Sequence, residues 1–321
     1  EKNNIKILRV DSDGNVWFCV SGYMNRGRHE GENGIAVYYY EDASATVEEI
    51  LFVKTMESYD MLKLDIGSLA YITENAQDFY LLLQGMIYRI DLNTREYERV
   101  VDGVNTECYT VSKSNRYVAW LKEGARYDSQ TLYRMDLETG AVQELTCDAD
   151  DRIRPVAFIG EDLVYGVAHT SDIDMTHEGS ELFPMYRLAI VGSDGEERKN
   201  YEPGNAYVLS VEQSENMLVL SRVTRTENGY EETTEDHIVS TNTDEEVATG
   251  TTTQASSVKG SEVILRLGTT LRDTTVQTVN AKLLTDGAAS EISIPTNKNR
   301  EKLYYVYAGG SLERVWTTAV E

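Results

Sequence analysis

The sequence predicts an all-β repeat fold, and three observations support this prediction. Short runs in which apolar and polar residues alternate with period two recur along the 321-residue chain, while helical periodicity is nearly absent. A strand–turn–strand pattern returns several times. A further pair of strand-like runs precedes each of these hairpins, so the repeating unit consists of four short strands.

The clearest copies of the hairpin are residues 88–100, YRIDLNTREYERV, and residues 133–145, YRMDLETGAVQEL. The positions that coincide are Tyr88 and Tyr133, Arg89 and Arg134, Asp91 and Asp136, Leu92 and Leu137, and Thr94 and Thr139. The turns contain Asn, Asp and Gly, which tolerate left-handed backbone. Each copy is therefore predicted to be an antiparallel hairpin.

Fainter copies extend the repeat in both directions. One begins at Tyr186 and has Ser193-Asp194-Gly195 as its turn, and others cover residues 37–50, 237–248 and 281–294. Residues 303–316 form a last hairpin, in which Gly309-Gly310 fits a two-residue turn. This hairpin is half a repeat, and it either completes a final unit or begins a following domain.

Four-stranded units of about 40–50 residues, repeated around six times, are typical of β-propeller blades. One such sheet cannot bury both of its faces alone, whereas sheets packed face to face around an axis bury them all. We therefore predict a single β-propeller domain spanning residues 1–321, built from four-stranded antiparallel blades. Seven blades are expected, with six or eight as alternatives. The excess of tyrosine (21 Tyr, 5 Phe) suits such sheets because the ring packs while the hydroxyl reaches water.

The hairpins at residues 88–100 and 133–145 resemble blades of TolB-like and dipeptidyl-peptidase-like N-terminal propellers. The stretches SGYMNRGRHEGENGIAVYYYED, DRIRPVAFIGEDLVYG and FPMYRLAI resemble a family of surface-anchored proteins from gut clostridia. This resemblance implies a propeller held outside the cell by an N-terminal membrane anchor. The chain opens at Glu1 without methionine, which indicates a mature or excised form. We therefore expect an extracytoplasmic, cell-surface protein whose anchor lies upstream.

The formal net charge of −24 excludes some classes of partner. Nucleic-acid binding needs clustered Lys and Arg to displace counterions from phosphates, and anionic membrane surfaces are disfavoured for the same reason. No apolar run approaches the roughly 18–20 residues of a membrane span. We expect a protein, peptide or glycan partner, no nucleic acid, and no membrane insertion by this part of the chain.

The three cysteines, Cys19, Cys108 and Cys147, are an odd number without short spacing. This pattern argues against a disulfide framework and against a zinc cage. Cys19 and Cys108 lie in strand-like runs and are predicted to be small buried apolar residues.

The first candidate site is residues 21–34, a loop between the second and third strands of the first unit. Its candidate ligand-binding residues are Tyr23, Asn25, Arg26, Arg28, His29 and Glu30. Arginine offers a bidentate fork to a carboxylate, so the loop predicts carboxylate recognition. The alternative is a long connection whose arginines pair with nearby Asp and Glu.

The second candidate site is residues 169–183, at the equivalent position of the fourth unit. Imidazole and carboxylate groups there predict a divalent-cation site, with His169, Asp172, Asp174, His177 and Glu178 as its candidates. Their spacing matches no named site, and a solvated acidic loop is the alternative. Both candidate loops join the same pair of strands, so in a propeller we expect them at the same edge.

Arg152 and Arg154 begin the fourth unit and are further candidate ligand-binding residues facing a central channel. The alternative, which we favour for Arg152 and Arg154, is a salt bridge to Asp148, Asp150 or Asp151.

Catalytic motifs are lacking in the sequence. The string nearest to a serine-hydrolase elbow, residues 309–313, ends in Glu and lies in a hairpin, and no Walker, H-E-x-x-H or EF-hand pattern occurs. Beyond a divalent cation, no cofactor is expected. We therefore predict an extracytoplasmic, non-catalytic propeller that binds or scaffolds a peptide, glycan or partner protein. The alternative is a metal-dependent hydrolase or lyase with its site at the channel.

Overall fold

The structure is a computed structural model in which most of the chain is described. The described residues are 3–104, 108–122, 126–174, 181–214, 217–227, 229–239, 250–256, 260–266, 282–284, 290–295, 304–308 and 311–316. They divide into two compact units. Unit 1 comprises Glu1–Val100 and Glu246–Arg300, and unit 2 comprises Val101–Glu245 and Glu301–Glu321.

Unit 1 contains two sheets, each built on four antiparallel strands that are adjacent in chain order, and two short parallel strands from later in the chain extend the first of them. Sheet 1 consists of β1 (Asn3–Val10), β2 (Val16–Tyr23), β3 (Asn33–Glu41) and β4 (Thr46–Lys54). A helix, α1 (Tyr59–Ser68), follows it. Sheet 2 consists of β5 (Ala70–Ile72), β6 (Asp78–Leu83), β7 (Met86–Asp91) and β8 (Tyr97–Val101).

Unit 2 contains three more sheets of this size. Sheet 3 consists of β9 (Tyr109–Val111), β10 (Tyr117–Leu121), β11 (Thr131–Asp136) and β12 (Val142–Thr146). Sheet 4 consists of β13 (Asp151–Ile159), β14 (Asp162–His169), β15 (Arg187–Val191) and β16 (Glu197–Tyr201). In sheet 5, β17 (Ala206–Ser214) pairs with β18 (Met217–Thr226), which also pairs with β19 (Gly229–Glu232) and β20 (Asp236–Val239).

Two described hairpins lie in the last third of the chain. In unit 1, β21 (Gly250–Ser256) pairs with β22 (Gly260–Arg266). The short strands β23 (Lys282–Leu284) and β24 (Glu291–Ser293) both pair in parallel with β4. In unit 2, β25 (Tyr304–Ala308) pairs antiparallel with β26 (Ser311–Trp316).

The cores of both units lie between sheet faces, as expected for sheets that cannot bury both faces alone. In unit 1 the core residues come from sheet 1, α1, sheet 2 and the segment at β24, which contributes Ile292 and Ile294. In unit 2, sheet 4 is buried on both sides, because Leu163 and Val167 of β14 pack towards sheet 3 while Val164 and Ala168 pack towards sheet 5. The two-residue period of a strand places alternate side chains on opposite faces.

The predicted mostly-β class is confirmed, and the predicted four-stranded antiparallel unit is confirmed for sheets 2, 3 and 4. Sheet 1 contains such a unit, but β23 and β24 extend it in parallel to six strands. The hairpin at residues 303–316 is also confirmed, although Gly309-Gly310 lies outside the described residues. The blade number and the closed propeller stay predictions. Cys19 and Cys108 are buried as predicted, and the three cysteines are not joined by a disulfide.

Two of the predicted hairpins need comment. The prediction of a hairpin at residues 281–294 is wrong, because β23 and β24 do not pair with each other but lie in parallel along β4. An open strand edge offers unpaired N–H and C=O groups, and here distant segments satisfy them rather than a local turn. In the copy that begins at His237, only β20 is described; it pairs with β18, and residues 240–249 lie outside the described residues.

The helix α1 is not predicted by the strand-like periodicity of the chain. The Ser58 side chain accepts a hydrogen bond from the Met61 N–H (3.5 Å), and Asp60 lies in the first turn, where an acidic group favours the helix dipole. Leu62 and Ile66, one turn apart, are fully buried in the unit 1 core. Among the described residues, no helix has the length and apolar content required to span a bilayer.

The repeated hairpin turns share a backbone geometry. The Asp91 carboxylate accepts two backbone N–H groups of its turn (2.8 Å each), and the Asp136 carboxylate accepts one at the same position of the next copy (2.9 Å). Four residues after each aspartate the backbone is left-handed, with φ of 68° at Arg95 and 72° at Gly140. The same left-handed conformation is therefore adopted by an arginine in one turn and by a glycine in the other.

This geometry predicts opposite effects of substitution in the two turns. Left-handed backbone destabilises a residue that has a side chain by about 1–2 kcal/mol, whereas glycine adopts it without this cost. We expect Arg95→Gly to raise the free energy of unfolding of unit 1 by about 0.5–1 kcal/mol and Gly140→Ala to lower that of unit 2 by about 1 kcal/mol. Urea unfolding followed by hydrogen-exchange mass spectrometry measures each unit separately. Changes of the same sign in the two free energies of unfolding would contradict the left-handed backbone at Arg95 and Gly140.

Candidate functional site

The loop between β2 and β3 folds back onto sheet 1. The Met24 N–H donates to the Glu32 carbonyl (2.8 Å), and the Gly31 N–H donates to the Met24 carbonyl (2.8 Å). Gly27 and Gly31 have φ of 86° and 91°, a conformation that glycine adopts at little cost. This tight path returns His29 to the sheet, where it is only 6% exposed.

His29 is held by one ring and one carboxylate. Its imidazole stacks on Phe52 of β4, with centroids 3.7 Å apart and planes inclined by 10°. The Nε2–H group donates to Glu49 Oε1 (2.8 Å), because a carboxylate can only accept. The Tyr38 hydroxyl donates to Glu49 Oε2 (3.2 Å). Burial, followed by the Glu49 charge, raises the pKa of Tyr38 to about 12.

The other ring nitrogen of His29 faces two further carboxylates. Nδ1 lies 3.9 Å from Glu32 Oε2 and 3.8 Å from Glu291 Oε2. Lys54 forms an ion pair with Glu32 Oε1, and this hydrogen bond raises the pKa of Lys54. Glu32 Oε2 is buried and has no hydrogen-bond partner among the described residues. We refer to His29, Glu32, Glu49 and Glu291 as the His29 cluster.

The remaining predicted residues of this loop are arranged differently. Arg28 Nη1 lies 3.9 Å from Glu49 Oε1, so this arginine faces a local carboxylate, as the alternative interpretation predicts. Tyr23, Arg26 and Glu30 are exposed, and Asn25 is half-buried. Ligand binding by these residues stays a prediction.

The second candidate loop follows β14, whose last residue is His169. The His169 Nδ1–H group donates to Asp151 Oδ1 (2.7 Å), and the Tyr186 hydroxyl donates to Asp151 Oδ2 (2.7 Å). The His169 and Tyr186 rings stack with centroids 4.0 Å apart and planes inclined by 13°. Burial and the hydrogen bond to Asp151 raise the pKa of Tyr186 to about 12. The hydrogen bond to Asp151 leaves Nε2 of a neutral His169 as an acceptor.

The other predicted metal ligands in this loop have separate partners. Asp172 is buried, and its carboxylate accepts a hydrogen bond from Arg225 Nη1 (2.6 Å). The negative charge of Asp172 raises the pKa of Arg225. The Asp174 backbone forms an isolated bridge with Leu182. His177 and Glu178 lie outside the described residues. The predicted cation site in this loop therefore stays a prediction.

Arg152 and Arg154 both bind to elements of unit 2. Arg152 forms an ion pair with Asp128 (2.5 Å) and not with the three aspartates that its sequence position predicts. The strand β13 begins at Asp151, whose own carboxylate is taken by His169 and Tyr186, so it is not available to Arg152. Arg154 donates to the Leu209 carbonyl (3.1 Å), and its guanidinium lies over the Phe183 ring, 4.7 Å from the centroid.

A cleft of about 450 Å³ opens beside His169. Its lining residues are His169, Tyr186, Glu202, Gly204, Asn205, Ala206, Tyr207 and Arg225. Tyr207 is supported by an edge contact with Tyr230, whose hydroxyl donates to the Asp172 carbonyl (3.3 Å). We call this feature the His169 cleft. Its lining comes from sheets 4 and 5 and from the connection between them.

Comparison with known proteins finds similarity to solved structures only. No protein-family model and no curated protein matches the chain. Among solved structures, the β-propeller domain of the trilobed protease from Pyrococcus furiosus is 12% identical, with 81% of this chain and 76% of that chain covered and a TM-score of 0.34. The acylaminoacyl peptidase of Pyrococcus horikoshii is 12% identical, with 86% of this chain and 53% of that chain covered and a TM-score of 0.34.

A third similar structure is a protein of Clostridium novyi NT described as a conserved lipoprotein. It is 12% identical, with 41% of this chain and 84% of that chain covered and a TM-score of 0.32. The chain is similar to peptidase β-propellers, as the sequence resemblance predicts. At this level of similarity the likeness concerns the fold and does not establish a shared activity.

Sequence reasoning missed most partners of the two candidate histidines. Glu49 lies on β4 with no motif around it, and Glu291 reaches His29 only because β24 pairs with β4, where the Phe52 N–H donates to the Ser290 carbonyl (2.9 Å). No local pattern could have indicated that contact. The sequence suggested Asp151 as a partner for Arg152. The register of the β13–β14 hairpin places Asp151 directly opposite His169, so this contact could have been predicted from the pairing of the two strands.

Proposed function

We propose that the chain is a non-catalytic, extracytoplasmic β-propeller that acts as a binding module for a peptide or glycan, and that the His169 cleft receives the ligand. The observation that carries the proposal is the cleft itself. Its volume lies in the range of about 300–1,000 Å³ that is typical of ligand pockets. That volume accommodates one or two residues of a peptide or sugar.

The chemistry of the lining favours an uncharged or cationic polar group. Tyr186 and Tyr207 supply ring faces, and Asn205 supplies both a donor and an acceptor. The charge of Arg225 is offset by Asp172, and Glu202 adds a negative charge. Together with the net charge of −24, this disfavours an anionic ligand.

The extracytoplasmic location rests on the sequence resemblance to surface-anchored proteins. In this proposal an upstream segment holds the chain at the cell surface, and the partner is met outside the cell. Protease shaving of intact cells that express the full-length gene product tests the location. Release of fragments of this chain from intact cells is expected, whereas protection until lysis would contradict it.

The binding proposal is tested by substitution in the cleft. Glycan arrays and peptide libraries identify a ligand, and titration calorimetry then compares variants. We expect His169→Gln and Tyr207→Ala to weaken binding at least about tenfold, which corresponds to about 1.4 kcal/mol. His237→Gln is the matched control, because His237 is an exposed histidine of the same unit that does not line the cleft. Equal affinity of all three variants would contradict the proposal.

One observation favours the enzymatic alternative. The Asp151–His169 pair has the arrangement that orients a general base, with Nε2 left to accept a proton. If a ligand of the cleft is consumed by the wild type and not by His169→Gln, the metal-dependent hydrolase or lyase replaces the binding module. Mass spectrometry of the ligand after incubation separates the two outcomes.

A further inference from the structure

We propose that His29, Glu32 and Glu291 of unit 1 form a binding site for a divalent metal ion of the Zn²⁺ or Mn²⁺ class. This site lies outside the His169 cleft and does not depend on the function proposed for it. Each residue contributes one donor atom: Nδ1 of His29, Oε2 of Glu32 and Oε2 of Glu291. A mixed set of imidazole and carboxylate ligands suits these ions.

The spacing of the donor atoms is close to that required for coordination. The three atoms lie within 4.8 Å of one another, and Nδ1 lies 3.8 Å and 3.9 Å from the two carboxylate oxygens. Ligand bonds of about 2.0–2.2 Å place neighbouring ligands of a tetrahedral ion about 3.3–3.6 Å apart. Shifts of a few tenths of an ångström bring the two Nδ1–oxygen distances into that range. The two carboxylate oxygens, which lie within 4.8 Å of each other, must approach by up to about 1.2–1.5 Å, and the Glu291 side chain is exposed enough to make this movement.

The orientation of His29 is that of a metal ligand. A metal-bound histidine almost always donates its second ring N–H to a carboxylate or carbonyl, and here Nε2–H donates to Glu49 (2.8 Å). In the neutral ring this hydrogen bond leaves the lone pair of Nδ1 facing Glu32 and Glu291. The stack on Phe52 and the 6% exposure of His29 hold the ring in this orientation.

An unsatisfied atom points independently to a ligand. Glu32 Oε2 is buried without a hydrogen-bond partner among the described residues, although its other oxygen is held by Lys54. A buried carboxylate oxygen without a partner is costly. It faces the lone pair of Nδ1 and a second carboxylate, and a positive charge between these three acceptors would stabilise them in addition to the Lys54 ammonium, which pairs with the other Glu32 oxygen and also interacts with Glu291.

A proton on Nδ1 is the competing source of that charge. A charged imidazolium has one N–H group at Nδ1, which would donate a hydrogen bond of about 2.7–3.2 Å to one of the two carboxylates. The observed separations of 3.8 Å and 3.9 Å are too long for such bonds but leave room for an ion between the atoms. Glu291 is 41% exposed, so a coordination position on its side is open to water or to an external ligand.

The bound ion would also join distant parts of unit 1. His29 and Glu32 lie in the β2–β3 loop, and Glu291 begins β24, which is attached to β4 by a short parallel ladder. Three coordination bonds would add to that ladder. Metal binding is therefore expected to raise the unfolding temperature of unit 1, because the ion binds the folded state only.

The test uses the whole chain after removal of metals with EDTA and dialysis. Zn²⁺, Mn²⁺ and Ca²⁺ are titrated separately by calorimetry, and unfolding is followed with and without each ion. We expect one equivalent of Zn²⁺ or Mn²⁺ to bind with a micromolar or lower Kd and to raise the unfolding temperature. Glu291→Gln should weaken binding at least tenfold, and this variant keeps the core intact because its side chain is partly exposed.

The controls separate this site from the acidic surface. His237→Gln, which changes an exposed histidine outside both candidate sites, should bind the ion as the wild type does. Glu49→Gln, which can still accept from His29 but offers no charge, should weaken binding about tenfold or more. No saturable binding of Zn²⁺ or Mn²⁺ by the wild type would overturn the proposal, as would equal affinity of Glu291→Gln. Nuclear magnetic resonance evidence of an imidazolium at His29 in the presence of saturating ion would also overturn it.

Discussion

Replacing Arg134 with alanine is expected to destabilise unit 2 by about 3 kcal/mol, while the same substitution at Arg89 costs less than about 1 kcal/mol. The two arginines occupy the same position in consecutive copies of the hairpin repeat. Their surroundings differ, and this difference decides the expected effects.

Arg134 is only 3% exposed and joins sheet 3 to sheet 4 within unit 2. It donates to the carbonyls of Gly192 (2.5 Å) and Glu161 (3.1 Å), both in turns of sheet 4. Its guanidinium also lies over the Tyr117 ring, 4.5 Å from the centroid. Removal of the side chain leaves a cavity and deprives two backbone carbonyls of their donors.

Arg89 lies on the surface of sheet 2. It forms ion pairs with Asp78 (2.9 Å) and Glu98 (2.8 Å), and its side chain is 37% exposed. Exposed ion pairs of this kind contribute little to stability because water and salt screen them. Urea unfolding with hydrogen exchange, which resolves each unit, measures both substitutions. Equal losses in the two units would show that the burial of Arg134 does not govern its contribution.

Gly34→Ala is expected to destabilise unit 1 by about 2–3 kcal/mol. A β-carbon at Gly34 would lie 2.4 Å from Cζ of Phe52 and 2.6 Å from the Val53 carbonyl oxygen. Phe52 is fully buried, and the backbone of Val53 is fixed in the β3–β4 ladder, so neither can move aside cheaply. The imidazole of His29 stacks on the Phe52 ring, so displacement of that ring should also weaken metal binding at the His29 cluster.

Gly67→Ala is the matched control for this prediction. Gly67 lies in α1 of the same unit, and a β-carbon there meets no atom within 4 Å. Alanine is a better helix former than glycine by about 1 kcal/mol, so this variant should be neutral or slightly more stable than the wild type. Differential scanning calorimetry on both variants gives the comparison. A Gly34→Ala chain as stable as Gly67→Ala would mean that sheet 1 relaxes around the added methyl group.

The strands and hairpins were predictable from the sequence because the interactions that form them are local. Burial alternates with period two along β13, and β10 is a short apolar run of the kind found in strands covered on both faces. The Asp91 and Asp136 turns carry the residues that hydrogen-bond their own backbone. The helix α1 escaped detection because it is ten residues long and lies between strand-like runs. Its capping signal at Ser58 is the only local indication of it.

The candidate sites were predicted only in part. The sequence directed attention to His29 and His169 because of the long connections between the second and third strands of their sheets. His29 lies in one of these connections, and His169 is the strand residue from which the other begins. The sequence did not reveal that His29 is buried against Phe52 or that its partners include Glu291. The carboxylate beside His169 is Asp151, which no motif marks, and the residues of the His169 cleft come from three separate stretches of chain.

The sequence by itself determined the all-β class, the four-stranded antiparallel unit and the positions of its turns. These follow from side-chain alternation and from turn residues, whose energetics involve neighbours a few positions away. Only the tertiary structure decided that Arg134 is buried while Arg89 is exposed, that β23 and β24 complete the edge of β4, and that Glu291 faces His29. Such contacts depend on which sheet faces and strand edges meet, and that choice is made by the packing of the whole unit rather than by any short segment.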